Sequence, residues 1–318
     1  MSAITDEEDI VMKVLRRITI QVLVVIFLMI SICYAESDSG YVITDMGDSK
    51  LRCFDIIFAG QPSPGADDVL RGMFECYHKG MEYSVEGKFE EAKEELEKAL
   101  KADSSFASAK LALRAVEDAR SQKVKNQTSS HFFRGVIYMN KGRWNQAISE
   151  FTKAMTTDSN YALAFLFRGT AYFYKNQHNR AISDLAKAIE IDPMNVYTYM
   201  LRGIAYDETE GQIESERALT DFTKVIELDP RNKCAYNNRA NIYRIKGQYE
   251  KAISDYNMAI EIDPKLACAY QQKGWACEKS GQIKEAIVAY KNFIRYALPE
   301  HQELLIEYAK QRIKALEK

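Results

Sequence analysis

The strongest constraint on this chain is a register that repeats. The string R-G-x-x-Y occurs at Arg134-Gly135 with Tyr138, at Arg168-Gly169 with Tyr172 and at Arg202-Gly203 with Tyr206. Arg239-Ala240 with Tyr243 is a near copy, and Lys273-Gly274 with Cys277 a looser one. The small residue therefore steps by 34, 34, 37 and 34 residues. A second ladder of alanine followed by an aromatic or leucine runs in phase: Ala147 and Phe151, Ala181 and Leu185, Ala218 and Phe222, Ala252 and Tyr256, Ala286 and Tyr290. It steps by the same intervals, with the same three-residue excess. Internal repeats of this length mean a solenoid, in which each unit buries its apolar face only against its neighbours.

The clearest unit runs from Lys233 to Leu266. Tyr236, Ala240 and Tyr243 fall at helical spacing, and Gly247 permits the positive φ of a helix end. Tyr249, Ala252, Ile253, Tyr256, Ala259 and Ile260 then form one face of a second helix. Asp263-Pro264 ends it, because proline disfavours helix at the residue before it. Ala240 and Ala252 are small where the two helices are expected to cross closely.

The order Tyr236, Arg239, Ala240, Tyr243, Ala252, Tyr256, Pro264 resembles the tetratricopeptide repeat. The chain is similar to that family over six units: 73–106, 128–161, 162–195, 196–232, 233–266 and 267–300. The resemblance implies an all-α fold, a right-handed α-solenoid of helix-turn-helix repeats. Residues 301–318 are expected to add a capping helix, with Leu305, Tyr308, Ala309, Ile313 and Leu316 as its apolar stripe. Three departures are visible. Residues 107–127 form an extra segment after the first unit, read as one helix over 107–120 and a polar loop. The fourth unit has three extra residues between Tyr206 and Ala218, expected to enlarge its inter-helix turn. The first two units carry Ser104 and Ser159 where a closing proline is expected.

The N-terminal 35 residues read as a signal peptide or signal-anchor. Residues 18–33 are almost unbroken apolar, preceded by Lys13, Arg16 and Arg17 and followed by Ala35 and acidic residues. Cleavage after Ala35 is one reading, giving a periplasmic or secreted protein. The other is an uncleaved single-pass anchor, although sixteen helical residues span about 24 Å against roughly 30 Å of bilayer core. Either reading places the repeats outside the cytoplasm. Residues 36–72 read as a linker. Cys53 and Cys76 are able to pair, while Cys268 and Cys277 lie too far apart along one helix.

A net charge of -2 and the lack of a basic stripe argue against nucleic acid. The four histidines are scattered, and no nucleophile motif, phosphate-cradling loop or metal-ligand spacing is present. The expectation is a non-enzymatic chain with no cofactor and no metal. One charge pattern repeats: Lys79/Glu95, Arg134/Glu150, Arg168/Asp184, Arg202/Asp221 and Arg239/Asp255, broken at Lys273/Ala289. It predicts an ion pair between the two helices of each unit.

Function follows here from the resemblance. First helices of such repeats line a concave groove that holds a protein or peptide segment. Carried over position by position, the groove residues are Phe132, Val136, Met139, Leu166, Thr170, Phe173, Tyr197, Met200, Ile204, Asn237, Asn241 and Trp275. They lack the cations of a carboxylate-binding clamp. The expectation is a binding scaffold with an exposed apolar strip, or else a structural module that self-associates through the solenoid. The alternative for the strip is that the chain's own N-terminal segment or capping helix covers it. Membrane contact is expected only through an uncleaved N-terminal segment.

Overall fold

The computed structural model describes residues 68–209, 211–297 and 299–318, and every regular element among them is an α-helix. The N-terminal apolar segment, the linker up to residue 67 and Cys53 lie outside the described residues. The first unit is α1 (Asp68–Val85) with α2 (Phe89–Ala102), and α3 (Ala107–Arg120) is the extra helix. Five pairs follow. They are α4 (Asn126–Asn140) with α5 (Trp144–Thr157), and α6 (Ala162–Tyr174) with α7 (His178–Ile191). Next come α8 (Val196–Glu208) with α9 (Gln212–Leu228), α10 (Lys233–Ile245) with α11 (Tyr249–Ile262), and α12 (Ala267–Lys279) with α13 (Ile283–Tyr296). The capping helix is α14 (Pro299–Leu316). Helix α1 starts ahead of residue 73, so the expected linker ends sooner than its sequence suggests. None of the described helices is long and apolar enough to cross a membrane.

The two sequence ladders meet inside each unit. A Cβ added to Gly203 falls 2.8 Å from Phe222 Cε1, and one added to Gly274 falls 2.8 Å from Tyr290. The glycine exists because the second-helix aromatic lies directly on the first-helix backbone. In the fifth unit Ala240 takes the glycine's place opposite Tyr256, and both are fully buried. We expect Gly203→Val to cost about 2–3 kcal/mol, since a filled core has no room for branched carbon. A urea midpoint equal to that of the unmodified protein would contradict this close crossing.

The turn within five of the six units ends on a left-handed residue. It is Gly142 at φ 67° after α4 and Asn176 at φ 56° after α6; asparagine is among the few side chains that tolerate this conformation. The link between units has a different device. Asp103, Asp158, Asp192, Asp229 and Asp263 each accept a hydrogen bond from the backbone N–H two residues on, at 2.8–3.3 Å. This aspartate turn forms with or without proline. That is why Ser104 and Ser159 replace the proline without changing the path.

The fourth unit corrects an expectation. Its turn between α8 and α9 is as short as that between α6 and α7, and the three extra residues lengthen α9 to 17 residues against 14 in α7. Added ahead of Ala218, they extend the helix start without disturbing the phase of the buried face.

The extra helix resets the array. Helix α3 packs on α2 as a first helix packs on the preceding second helix, but α4, beyond its own partner α5, packs on α1 more than on α3. Asn140 donates to the Tyr77 hydroxyl at 3.4 Å, and the Phe89 and Phe133 rings sit 6.4 Å apart. Burial pushes the Tyr77 phenol up to about 12, so it stays neutral.

The ion-pair ladder forms at four of five places. Arg168 Nε and Nη2 bond Asp184 at 2.7 Å each, and Arg202 and Arg239 hold Asp221 and Asp255 in the same bidentate way. Lys79 reaches Glu95 at 3.4 Å. Arg168 and Arg239 also bond Thr152 and Thr223 of the preceding unit, at 2.9 and 3.2 Å. These arginines therefore join units as well as helices. The exception is Arg134, which stays exposed, because Glu150 pairs with His131 at 2.8 Å and Lys153 at 2.6 Å. Burial works to raise the Glu150 carboxyl, yet these two partners hold it below the usual range.

Candidate partner-binding groove

The structure redraws the groove. Ten of the twelve residues expected to line it are buried: Phe132, Val136, Met139, Leu166, Thr170, Phe173, Met200, Ile204, Asn237 and Asn241, none more than 6% exposed. Only Tyr197 and Trp275 keep accessible surface. The physical reason is clearest at Phe132 of α4, which packs against its own unit and the next one. Phe132 packs within 5.1–5.9 Å of Phe133, Phe151, Tyr161 and Phe167, centroid to centroid. Thr170 turns its hydroxyl onto the Leu166 carbonyl at 2.8 Å. Phe173 lies edge-on to Tyr174 and His178. Residues of this size and spacing pack as core, so no exposed apolar strip runs over these units.

The asparagines are equally inward. Asn241 Oδ1 accepts from the Tyr256 hydroxyl at 2.6 Å, and Asn238 makes a weak contact to Met200 sulfur at 3.9 Å. Both polar ends of Asn237 are buried with no hydrogen-bond partner among the described residues. An unsatisfied buried amide costs about 1–3 kcal/mol.

Accessible functional chemistry gathers at the C-terminal reach. Arg244 lies seven residues beyond Asn237 on α10, two helical turns along the same face. Its guanidinium carbon sits 5.0 Å from the Trp275 ring centroid, within cation–π range. Lys279 Nζ sits 5.4 Å from the same ring, and Tyr249 meets it edge-on at 5.9 Å. Glu278 is engaged elsewhere. It accepts from Arg312 Nε of the capping helix at 3.1 Å and from the Tyr290 hydroxyl at 3.2 Å. Burial and the Glu278 charge push the Tyr290 phenol far up. The rim of Trp275 therefore carries two cations beside an apolar ring face. A segment with carboxylates or free backbone carbonyls complements it. Sequence reasoning placed Trp275 on this face but did not find Lys279 or the Arg312–Glu278 contact. Their signal was positional only, one turn after Trp275 and on the cap.

Cys76, Cys234 and Cys277 are free thiols, the last two buried, as is Cys268. Among the described residues no group of His, Cys, Asp or Glu is placed to hold a metal ion.

Tetratricopeptide repeat models match residues 76–106, 128–161, 234–266 and 268–298, and a TPR repeat model matches 169–209. The matched segments together make up just over half of the chain. No curated protein matches. Among solved structures, a MamA protein is 27% identical with a TM-score of 0.50, covering 57% of this chain and 95% of that one. MamA from Desulfovibrio magneticus RS-1 is 16% identical with a TM-score of 0.51, covering 54% and 96%. Pseudomonas aeruginosa pilF is 17% identical with a TM-score of 0.50, covering 76% and 100%. The last two likenesses speak to fold alone.

Proposed function

Because the chain belongs to the tetratricopeptide repeat family, we propose that it is a non-enzymatic protein-interaction scaffold whose partner-binding surface is the C-terminal reach around Trp275. One observation carries this reading: a half-buried tryptophan held between Arg244 and Lys279, on the helix faces that line the groove. Desolvated aromatic and arginine residues contribute most of the binding energy at interfaces. The partner is an extended or helical protein segment that presents acidic or carbonyl groups to this rim. The apolar residues 18–33 take the scaffold out of the cytoplasm, as a cleaved signal or as an anchor. The mass of the native N-terminal peptide distinguishes these two, since cleavage leaves a chain beginning at Glu36.

The test compares capture by the full chain, by an Arg244→Ala/Trp275→Ala variant, and by Lys251→Ala away from this rim. A partner lost only with the double variant supports the reading. Identical capture by all three contradicts it. A second reading, self-assembly, is favoured by the capping helix, where Leu304 is 86% exposed and Tyr308, one turn on, 41%. Concentration-dependent mass that Leu304→Asp abolishes would favour it.

A further inference from the structure

The extra helix is buried like a first helix but has no second helix of its own to pair with. Eight of the fourteen residues of α3 are buried, as many as in the first helices α4 and α10 and twice the four of the second helices α5 and α7. At 100° per residue they span about 200° of its circumference, twice the stripe of an ordinary surface helix. One part of that arc meets α2. Other parts meet α1 and α4, and its Arg114 side looks toward the starts of α6, α8 and α10. Arg114 Nη1 reaches Asp192 Oδ2, in the turn before α8, at 2.7 Å across 78 residues of sequence. The buried Tyr161 hydroxyl, at the start of α6, lies in the field of Asp118 and Arg114. A cleft of about 430 Å³ is walled by Lys110, Leu111 and Arg114 on one side and by Asn195, Tyr197 and Asn232 on the other.

Helix α3 is also lightly held. Five of its buried residues are alanine, and only Leu111 and Val116 are large apolar side chains. Burial energy scales with apolar area, so this helix contributes less per residue than one built on leucine. Arg114–Asp192 is its one ion pair to the later units among the described contacts. Just after the helix, Gln122 has a φ of 55°, a conformation that glutamine rarely adopts.

We propose that α3 is a resident occupant of the solenoid along the starts of α6, α8 and α10, latched by Arg114–Asp192, and that a partner helix with a similar small-residue stripe and a basic residue takes its seat. The proposal deepens the scaffold reading by naming a second, closed seat. Its test uses the chain's own helix as ligand and needs no captured partner, so the two readings fail separately.

The probe is a labelled peptide of residues 104–122 with its Arg114 intact. Added to the full chain carrying Arg114→Asp, it should bind at least about fivefold tighter than to the wild type, because the resident helix has lost its latch while the peptide keeps it. The Arg114→Asp/Asp192→Arg chain re-forms the latch with charges exchanged and turns a positive charge toward the incoming peptide's arginine. Binding should fall back to the wild-type level. Equal binding to wild type and Arg114→Asp would overturn the proposal, as would a double variant that binds as tightly as the single one. Should Arg114→Asp fail to fold, amide exchange in the wild-type chain decides. Residues 110–119 exchanging well ahead of α6 and α8 is the expected result, and equal protection overturns it.

Discussion

Replacing Phe132 by alanine should cost about 3–5 kcal/mol, the range for emptying a large aromatic from a core. Phe132 has no exposed surface and touches four aromatic rings from α4, α5, α6 and the turn before α6. Ring pairs of this geometry add about 0.5–1.5 kcal/mol each beyond their area. The loss falls at the junction of the second and third units. Because solenoids are coupled through neighbours, the first units should melt ahead of the C-terminal ones. Urea melts followed by circular dichroism check this. A loss under about 0.5 kcal/mol is what an exposed side chain gives, and it would restore Phe132 to an open groove.

The second large effect concerns Asp221. Its side chain is 3% exposed and takes two hydrogen bonds from Arg202, at 2.7 and 2.8 Å. Burial raises the carboxyl above its usual range even beside the guanidinium. Removing one partner of a buried pair leaves the other charge uncompensated, at about 3–5 kcal/mol when both are buried. Arg202 retains 19% exposure, so water relieves part of that charge. Asp221→Ala should therefore cost about 2–3 kcal/mol. The Arg202→Ala/Asp221→Ala double variant should recover part of it, which a double-mutant cycle measures. Lys79→Ala is the contrast. That lysine is 54% exposed, and its pair should contribute under about 1 kcal/mol. Equal losses at both places would remove burial as the reason for the difference.

The architecture was legible because it is periodic. Two ladders, one of glycine or alanine and one of ring or leucine, name the same contact in every unit, and Gly203 on Phe222 is that contact seen in space. The lone helix over 107–120 was readable from its alanines, and the arginine–aspartate pairs from their repetition. The groove was not readable position by position. Its assignment follows the face a residue occupies, and a face is open only if nothing else folds onto it. Helix α1 against α4, and α3 with Arg114 on Asp192, are contacts between distant segments that no local pattern encodes. His131 taking Glu150 from Arg134 is a local competition of the same kind. The fourth-unit excess was misplaced because three residues inserted before a helix read equally as turn or as helix start.

Trp144 and Trp275 are the two tryptophans of the chain. Trp144 stacks on Tyr174 at 5.0 Å, so Trp144→Phe keeps an aromatic there and leaves Trp275 as the single reporter. Its emission, followed while the captured segment is titrated in, tests most directly whether the partner sits on the Arg244–Trp275–Lys279 rim. A shift in emission that saturates with binding is the result this account predicts. Binding that saturates while the Trp275 emission stays unmoved would contradict it.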